Sequence, residues 1–518
     1  ATKFLLKDWL MNVKKLLSER REKYASKPAI IFKDQAVSFP ALEDNVLKLA
    51  SVLRSLGVAK SDKVALLLPN CPEYVYSYLA CFCLGATVVP LDFMLKDDEI
   101  LSCVGHSEAK VLIAHNKGDI SLKTIAAQSP TLKTVVILGE IPVDAGKGWV
   151  SFSELMAGAR PDCPVVNIAD TDPALIMYTS GTTGHPKGIL LTYKHLDGSP
   201  TAMHHFVDLS DRDVKLCPIP LSHIGGFIYI QNCLLFGITV VLMDRFNPYE
   251  FLRLIDQYKV TCFHIVPAMY TAILSLKQIE KFNLSSLRWV VVFGAPSSPE
   301  IMAQFHKHCP NAKLLNGWGM TETCPPNTVT PLGSSNIASV GKPSPHCEIK
   351  IVADSGEALP AGQVGEIIIR GWTNMKEYYK DPEATKAVLK DGWLYTGDLG
   401  RFDAEGFLYI VGRKKEMIKV AGQIVYAPEV EAAFYKHEEV HEVAVIGVAD
   451  PLRGEAVKAF VALKEGATIT SDELRFFARE HLAHFKVPHF IEICAVLPKN
   501  RVGKIDKEAL RGAGGPAR

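Results

Sequence analysis

Neither sign of charge predominates in this chain: Lys and Arg number 57, against 56 Asp and Glu. A nucleic-acid partner needs a basic excess, so none is expected. The twelve cysteines run from Cys71 to Cys494, but no CxxC pair occurs, and the nearest neighbours, Cys81 and Cys83, suit neither a zinc site nor a disulfide framework. A reducing cytosol fits that usage, and a cytoplasmic protein is the expectation. Uncharged apolar runs long enough to span a bilayer are lacking too. The longest candidate, GFIYIQNCLLFGITVVLM from Gly226 to Met243, is broken by Gln231, Asn232 and Gly237 and predicts a buried helix followed by a buried strand. At the N-terminus, ATKFLLKDWLMNVKKLLSERREKY lacks the uncharged core of a secretory signal, because Lys3, Lys7 and Asp8 interrupt it. Its apolar residues recur at helical spacing, which predicts an amphipathic helix docked on its own domain; Lys14, Lys15, Arg20 and Arg21 leave a weak peripheral membrane contact open.

At 518 residues, with 48% of them hydrophobic, the chain exceeds one ordinary core. About 100 to 200 residues per domain suggests roughly three or more packed units. Through the first 340 or so residues, apolar runs (KVALLLP, ATVVPL, KVLIAH, KTVVILG, ALIMYTS, ITVVLMD, WVVVFGA) alternate with helical patterns, which predicts an α/β architecture with buried sheets. Around Gly341 the texture becomes turn-rich with period-two strands, CEIKIVADSGEALPAGQVGEIIIRG, pointing to a small antiparallel barrel or sheet. Near Gly412 it changes again to GRKKEMIKVAGQIV, then to helix (PEVEAAFYKH) and strand (EVAVIGVA, AVKAFVALK), the pattern of an α+β domain.

The stretch YTSGTTGHPKG, Tyr178 to Gly188, follows the strand-like ALIM. Its glycines permit close approach of a ligand to the backbone, its hydroxyls and N–H groups suit phosphate oxygens, and Lys187 adds a cation. A Walker A loop is excluded, because Pro186 stands where GxxxxGK requires its second glycine. Three further stretches carry polar chemistry on turns: GWGMTE (Gly317 to Glu322), YTGDLG (Tyr395 to Gly400) and LPKNRVGKID (Leu497 to Asp506).

Taken together and in this order, the four stretches resemble the adenylate-forming superfamily of acyl-CoA synthetases, nonribosomal peptide adenylation domains and luciferases, over nearly the whole chain. The resemblance implies a large N-terminal domain, 1–411, built of two α/β subdomains and a small β-barrel. A hinge at 412–416 and a mobile C-terminal domain at 417–518 would follow. It also implies ATP, Mg²⁺ and coenzyme A. Thr179, Ser180, Gly181, Thr182, Thr183, Gly184 and Lys187 would hold the ATP phosphates. Glu322, with Thr179, would bind Mg²⁺, a hard cation suited to oxygen donors. Trp318 would stack on adenine beside Gly294, Ala295 and Pro296, with Asn316 near its edge and Gly317, Gly319, Met320 and Thr321 completing that wall. Asp398 would accept hydrogen bonds from the ribose hydroxyls, assisted by Arg413. Lys504 would set its ammonium between substrate carboxylate and α-phosphate, where negative charge gathers.

Adenylation needs a closed, water-poor site, whereas thiol attack needs an open one. The resemblance resolves this with a swing about Lys415. Ala421, Gly422 and Gln423 would then face the site and pass the pantetheine arm of CoA, with Arg453 and Lys486 offering cations to its phosphates. In PLSHIGGF, His223 is the implied gate of the acid pocket, with Gly225, Gly226, Phe227, Pro267, Ala268 and Met320 as small or apolar walls. These segments hold no obvious lysine or arginine to pair with a second carboxylate, which weighs toward a monocarboxylic acid with an apolar tail. A medium- or long-chain fatty acid is favoured, with aryl and alicyclic acids open. The short stretch after Lys504 leaves no room for a carrier domain, so a stand-alone acid–CoA ligase is expected. The alternatives are an adenylating enzyme that loads a separate carrier protein or oxidises the adenylate, and a non-catalytic nucleotide-binding scaffold. A homodimer is left open. Three positions depart from the family pattern: Trp318 for tyrosine, Ala421 for glycine or serine, and Lys507 for arginine.

Overall fold

The computed structural model describes residues 12–116, 120–142, 145–146, 148–179, 187–294, 299–334, 336–499 and 504–513. Among them the strands form four sheets of nine, eight, five and five strands. The centre of the first is parallel, in the order Lys313–Trp318, Trp289–Val292, Cys262–Ile265, Val214–Cys217, Thr239–Leu242 and Pro28–Phe32. The second is parallel across Pro173–Thr179, Thr87–Pro90, Lys63–Leu67, Val111–His115 and Thr134–Leu138. Sheets covered on both faces need apolar side chains at successive positions rather than alternate ones. All seven apolar runs singled out in the sequence fall on such strands, Trp289–Val292 being buried at every residue.

The two large sheets share their main core. Leu66 and Val88 of one and Ile30 and Val240 of the other pack with helices Phe39–Ser55, Pro72–Cys83 and Ile224–Phe236. That last helix and the strand Thr239–Leu242 are the buried helix and strand expected from Gly226 to Met243. The third sheet is antiparallel and pairs Cys347–Val352, Gly365–Gly371, Trp393–Phe402 and Leu408–Arg413. The fourth joins Met417–Val420, Gln423–Tyr426, Val440–Asp450, Gly454–Leu463 and Phe490–Cys494 around a core of its own. The result is an α/β protein with a large N-terminal and a smaller C-terminal domain.

The helix Val13–Lys23 docks as its periodicity predicts, burying Val13, Leu16 and Leu17. Arg20 donates to the carbonyls of Leu234 (2.7 Å) and Leu235 (2.8 Å), which are last-turn acceptors that a helix leaves unpaired. Arg21 pairs with Glu43 and Asp44. Two of the basic residues that kept a membrane contact open are thus used internally. No described helix is long and apolar enough to cross a membrane.

The loop ahead of Ile224–Phe236 passes close to that helix. A Cβ on Gly226 would lie 2.1 Å from the Pro220 carbonyl oxygen and 2.7 Å from the Leu221 Cα, so only glycine lets the loop carrying His223 close on the helix. Gly226→Ala is expected to lower stability by about 1–3 kcal/mol through overpacking, measured by urea denaturation. An unchanged midpoint would mean that the loop relaxes freely.

Candidate active site

The parallel strands deliver their C-terminal ends to one edge, the usual place for a ligand on an open α/β sheet. Gly294, just past Trp289–Val292, has φ +91°, and a Cβ there would sit 3.2 Å from Cε and 3.4 Å from Nζ of Lys504. The lysine of the C-terminal loop therefore lies against bare backbone of the large domain. Its loop is closed by a bridge between Lys499 and Ile505 and by the Asp506 N–H donating to the Pro498 carbonyl at 2.8 Å.

Asp398 is a carboxylate whose charge acts on Lys504. It lies on Trp393–Phe402, in register with Arg413 on the next strand, and is only 6% exposed. The Trp318 indole N–H donates to its Oδ2 at 2.9 Å, and Arg413 Nε meets Oδ1 at 3.0 Å. Burial raises the Asp398 carboxyl above the usual carboxylate range, while Arg413, Trp318 and Lys504 oppose that rise. Burial likewise lowers the Lys504 ammonium below an ordinary lysine, helped by the like charge of Arg413 and opposed by Asp398. Trp318 also packs against Ile349, Ile367 and Leu408, so its ring is largely enclosed.

A second cluster sits where Pro173–Thr179 meets Lys187–Thr192. Thr179 pairs in register with Lys187, whose ammonium lies 5.0 Å over the ring of Tyr378. Tyr378 donates from its hydroxyl to Glu322 Oε1 at 2.9 Å. Glu322 is held on the short turn Thr321–Thr323, its carbonyl accepting from the Met375 N–H at 2.6 Å, and burial raises its carboxyl. Tyr378 thus ties the loop lysine to the carboxylate. It belongs to none of the quoted motifs, and its strand Glu377–Tyr378 reaches the site by pairing with Lys187–Thr192.

His223, the expected gate of the acid pocket, precedes Ile224–Phe236 and bonds through Nε2 to Asp92 Oδ2 at 3.0 Å. His264 donates from Nε2 to the Gly225 carbonyl at 2.7 Å and packs on Tyr229, with ring centroids 4.3 Å apart. Pro267 and Ala268 begin the helix Pro267–Leu274, and Met320 is half-buried beside the main core. Phe227 points the other way, into the core against Tyr78 and Phe82. Asn316 is buried and donates from Nδ2 to the Ile337 carbonyl at 2.5 Å. Gly317 lies under the Phe293 ring, whose Cε1 would be 2.0 Å from a Cβ, and a Cβ on Gly319 would be 2.6 Å from the Pro325 Cβ.

Lys415 lies on the exposed turn Lys414–Glu416. Ala421 (φ +48°), Gly422 (φ +83°) and Gln423 occupy the exposed end of a hairpin on the small domain. There the Ala421 N–H donates to the Arg453 carbonyl at 2.9 Å. Arg453 pairs with Asp450 and Lys486 with Glu429. Lys507 pairs with Glu431 at 2.7 Å. The structure therefore gathers Lys504, Gly294, Asp398, Arg413 and Trp318 in one place and leaves 421–423 in solvent. Ser180, Gly181, Thr182, Thr183, Gly184, Ala295 and Pro296 lie outside the described residues.

Residues 17–379 match the family described as AMP-binding enzyme, and residues 429–504 match AMP-binding enzyme C-terminal domain. The chain is 33% identical to a long-chain-fatty-acid–CoA ligase of Bacillus subtilis (strain 168), covering 96% of this chain and 93% of the relative. It is 36% identical to a feruloyl-CoA synthase of an Amycolatopsis species, with 92% and 94% covered. Among solved structures, the anthranilate CoA ligase AuaEII in complex with anthranoyl-AMP superposes with a TM-score of 0.91 at 28% identity, covering 97% of this chain and 96% of that one.

Trp318→Phe removes the indole N–H while keeping a ring in the same apolar surround. A hydrogen bond to a buried carboxylate contributes about 1.5–3 kcal/mol, so a loss of that size is expected on urea denaturation at neutral pH. If the loss shrinks as pH falls and Asp398 is protonated, the carboxylate is the partner. A loss independent of pH would contradict this.

Proposed function

The chain belongs to the AMP-binding enzyme family and is an AMP-forming acid–thiol ligase, and from that premise we propose which residues do its chemistry and on what. The overall reaction joins ATP and a carboxylic acid to an acyl-adenylate and pyrophosphate, then transfers the acyl group to the thiol of CoA with release of AMP. In the first step a carboxylate oxygen attacks the α-phosphorus and the bond to pyrophosphate breaks. Two anions must approach each other, so the barrier is chiefly electrostatic.

Lys504 answers that need. The observation that carries the reading is its position against Gly294, beside Asp398 and Arg413, although it belongs to the small domain. From there its ammonium reaches both the incoming carboxylate and the α-phosphate. Asp398 holds the ribose hydroxyls with whichever lone pairs Trp318 and Arg413 leave free, and Arg413 keeps it ionised. Thr179 and Lys187 bind the phosphates, with Ser180 to Gly184 as the intervening flap. Glu322 and Thr179 supply hard oxygen donors that suit Mg²⁺, and a buried carboxylate whose proton affinity is raised gains from a nearby cation. Bound there, Mg²⁺ would neutralise phosphate charge.

The thiol step needs the small domain to turn. The hairpin 421–423 is exposed, Arg453 and Lys486 are engaged in local ion pairs, and the exposed turn at Lys415 is suited to absorb a dihedral change. The domain limits 1–411, 412–416 and 417–518 follow from that motion. On the acid side, His223 is oriented by Asp92, and Gly225 presents no side chain toward an alkyl or aryl body, whereas Gly226 is taken up by the close approach of the Pro220 carbonyl. A fatty acid of medium or long chain is the favoured substrate, supported by likeness to a long-chain-fatty-acid–CoA ligase; likeness to a feruloyl-CoA synthase supports aryl acids.

Lys504→Ala is expected to lower acid-dependent pyrophosphate exchange by about 10²- to 10³-fold while sparing thioester formation from supplied acyl-adenylate. Gly422→Leu should do the reverse, and equal loss of both half-reactions in either variant would contradict the division of labour. The pH dependence has a definite sign. Burial and Arg413 favour the neutral amine, so exchange should fall with rising pH at a point below the titration of an ordinary lysine, about 10.4. An alkaline limb at or above that value would place the essential ammonium elsewhere.

A further inference from the structure

A lysine stands in the middle of the first sheet. Lys215, on the strand Val214–Cys217, is 0% exposed, and its Nζ has no hydrogen-bond partner among the described residues. The ammonium lies 4.8 Å over the ring of Tyr229 and 5.4 Å over that of Trp289. The nearest carboxylate in sequence, Asp213, is taken by Arg288 and Thr261. Burial lowers the lysine to about 8. Ring faces attract a cation but accept none of its N–H bonds in the way oxygen does, and an unpaired buried charge is costly.

The surroundings are also incomplete. Trp289 Nε1, both side-chain polar atoms of Asn232, and His264 Nδ1 are buried without partners among the described residues. Lys215 is in register with Cys262, and Cys262 with Trp289, so these strands present their residues at one level. Gly225, Tyr229 and Asn232 follow helical spacing along one face of Ile224–Phe236. That face meets His264 through the Gly225 carbonyl and Tyr229. Among these unpartnered atoms of the described residues, three N–H groups on Lys215, two on Asn232 and one on Trp289 stand against two acceptors, His264 Nδ1 and Asn232 Oδ1, so donors are in excess. Such a cluster is completed by an oxygen-rich guest.

This cluster lies below the proposed acid pocket. Val266, four residues beyond Cys262, would be 3.5 Å from a Cβ on Gly294, beside Lys504. Four strand residues span about 13 Å, which sets the depth of Lys215 below the reacting carboxylate. The Phe293 ring, edge-on to His264 with centroids 5.9 Å apart, stands between the two levels and must turn aside for a chain to pass.

We propose that Lys215, Asn232 and the Trp289 indole form the far end of the acid pocket and bind an oxygen acceptor, best matched by a second carboxylate, at the tail of a medium-length acid. This rests on the acid–CoA ligase reading and refines it: the body of the acid is apolar and its end is polar. The expectation of a monocarboxylic substrate with an apolar tail weighed pocket motifs without a cation, and Lys215 lies just outside them.

The test compares straight-chain α,ω-dicarboxylic acids of about eight to twelve carbons, a range set by the roughly 13 Å depth, with the methyl-ended acids of equal length. The readout is ATP- and CoA-dependent AMP release by the full chain. Wild type should favour the diacids in kcat/KM, and Lys215→Met should lower the diacid value by about 10- to 100-fold, the weight of a hydrogen bond to a charged group, while raising that of the methyl-ended acid. Removing an unpaired buried charge should also leave Tm unchanged or higher. Equal kcat/KM for both series in wild type, or an equal loss of both in Lys215→Met, would overturn the proposal and mark the lysine as structural. If Lys215→Met does not fold, Asn232→Leu should shift the same ratio in the same direction, and an unshifted ratio would count against it. AMP release with methyl-ended acids alone would sink this inference and leave the ligase reading standing. No AMP release with any acid would sink both.

Discussion

A carboxylate as enclosed as Asp398 is tolerable only because donors and positive charge surround it. Trp318 and Arg413 meet its two oxygens, and the charge of Lys504 adds a longer-range attraction. The desolvation of such a group costs several kcal/mol unless it is compensated, so the carboxylate acts as a fixed anchor that draws the lysine inward. The charge that favours the lysine near the parallel-strand edge is the one that, in the proposed mechanism, would hold a ribose. On that proposal the first chemical step and the seating of Lys504 share one electrostatic centre.

The rest of the scaffold serves that centre by bringing backbone close. Gly294 lets the lysine stem lie on the main chain, Gly317 makes room for Phe293, and Gly226 lets the loop of His223 fold onto its helix. The two large sheets share a core and carry these glycines, while the fourth sheet has a core of its own. Separate cores are what the proposed turning of the small domain requires, since the reaction needs exclusion of water first and access for a thiol afterwards.

Much of this was legible in the sequence, for identifiable reasons. Buried parallel strands must be apolar at successive positions, so runs such as WVVVF declared themselves without any knowledge of pairing. Of the stretch YTSGTTGHPKG the structure describes only Tyr178, Thr179, Lys187 and Gly188, and it places Thr179 and Lys187 in register on neighbouring strands. Tyr378 was not legible. Its hydroxyl matters only because the strand Glu377–Tyr378 is carried next to Lys187–Thr192 by tertiary pairing. Asp92 was hidden for the same reason, its meaning residing in the distant His223. The enclosure of Trp318 could not be read either, because Ile349, Ile367 and Leu408 reach it from a sheet that begins thirty residues later in the chain. Lys215 did leave a trace: a single charge inside the strand VKLC is anomalous for a central parallel strand.

The most direct test of the central claim is a crystal structure with the acid and α,β-methylene ATP, which together hold the first step before bond cleavage. The account predicts Lys504 Nζ within hydrogen-bond reach of both an α-phosphate oxygen and the acid carboxylate, with Asp398 on the ribose. A complex in which Lys504 remains in solvent while another cation occupies that position would contradict it.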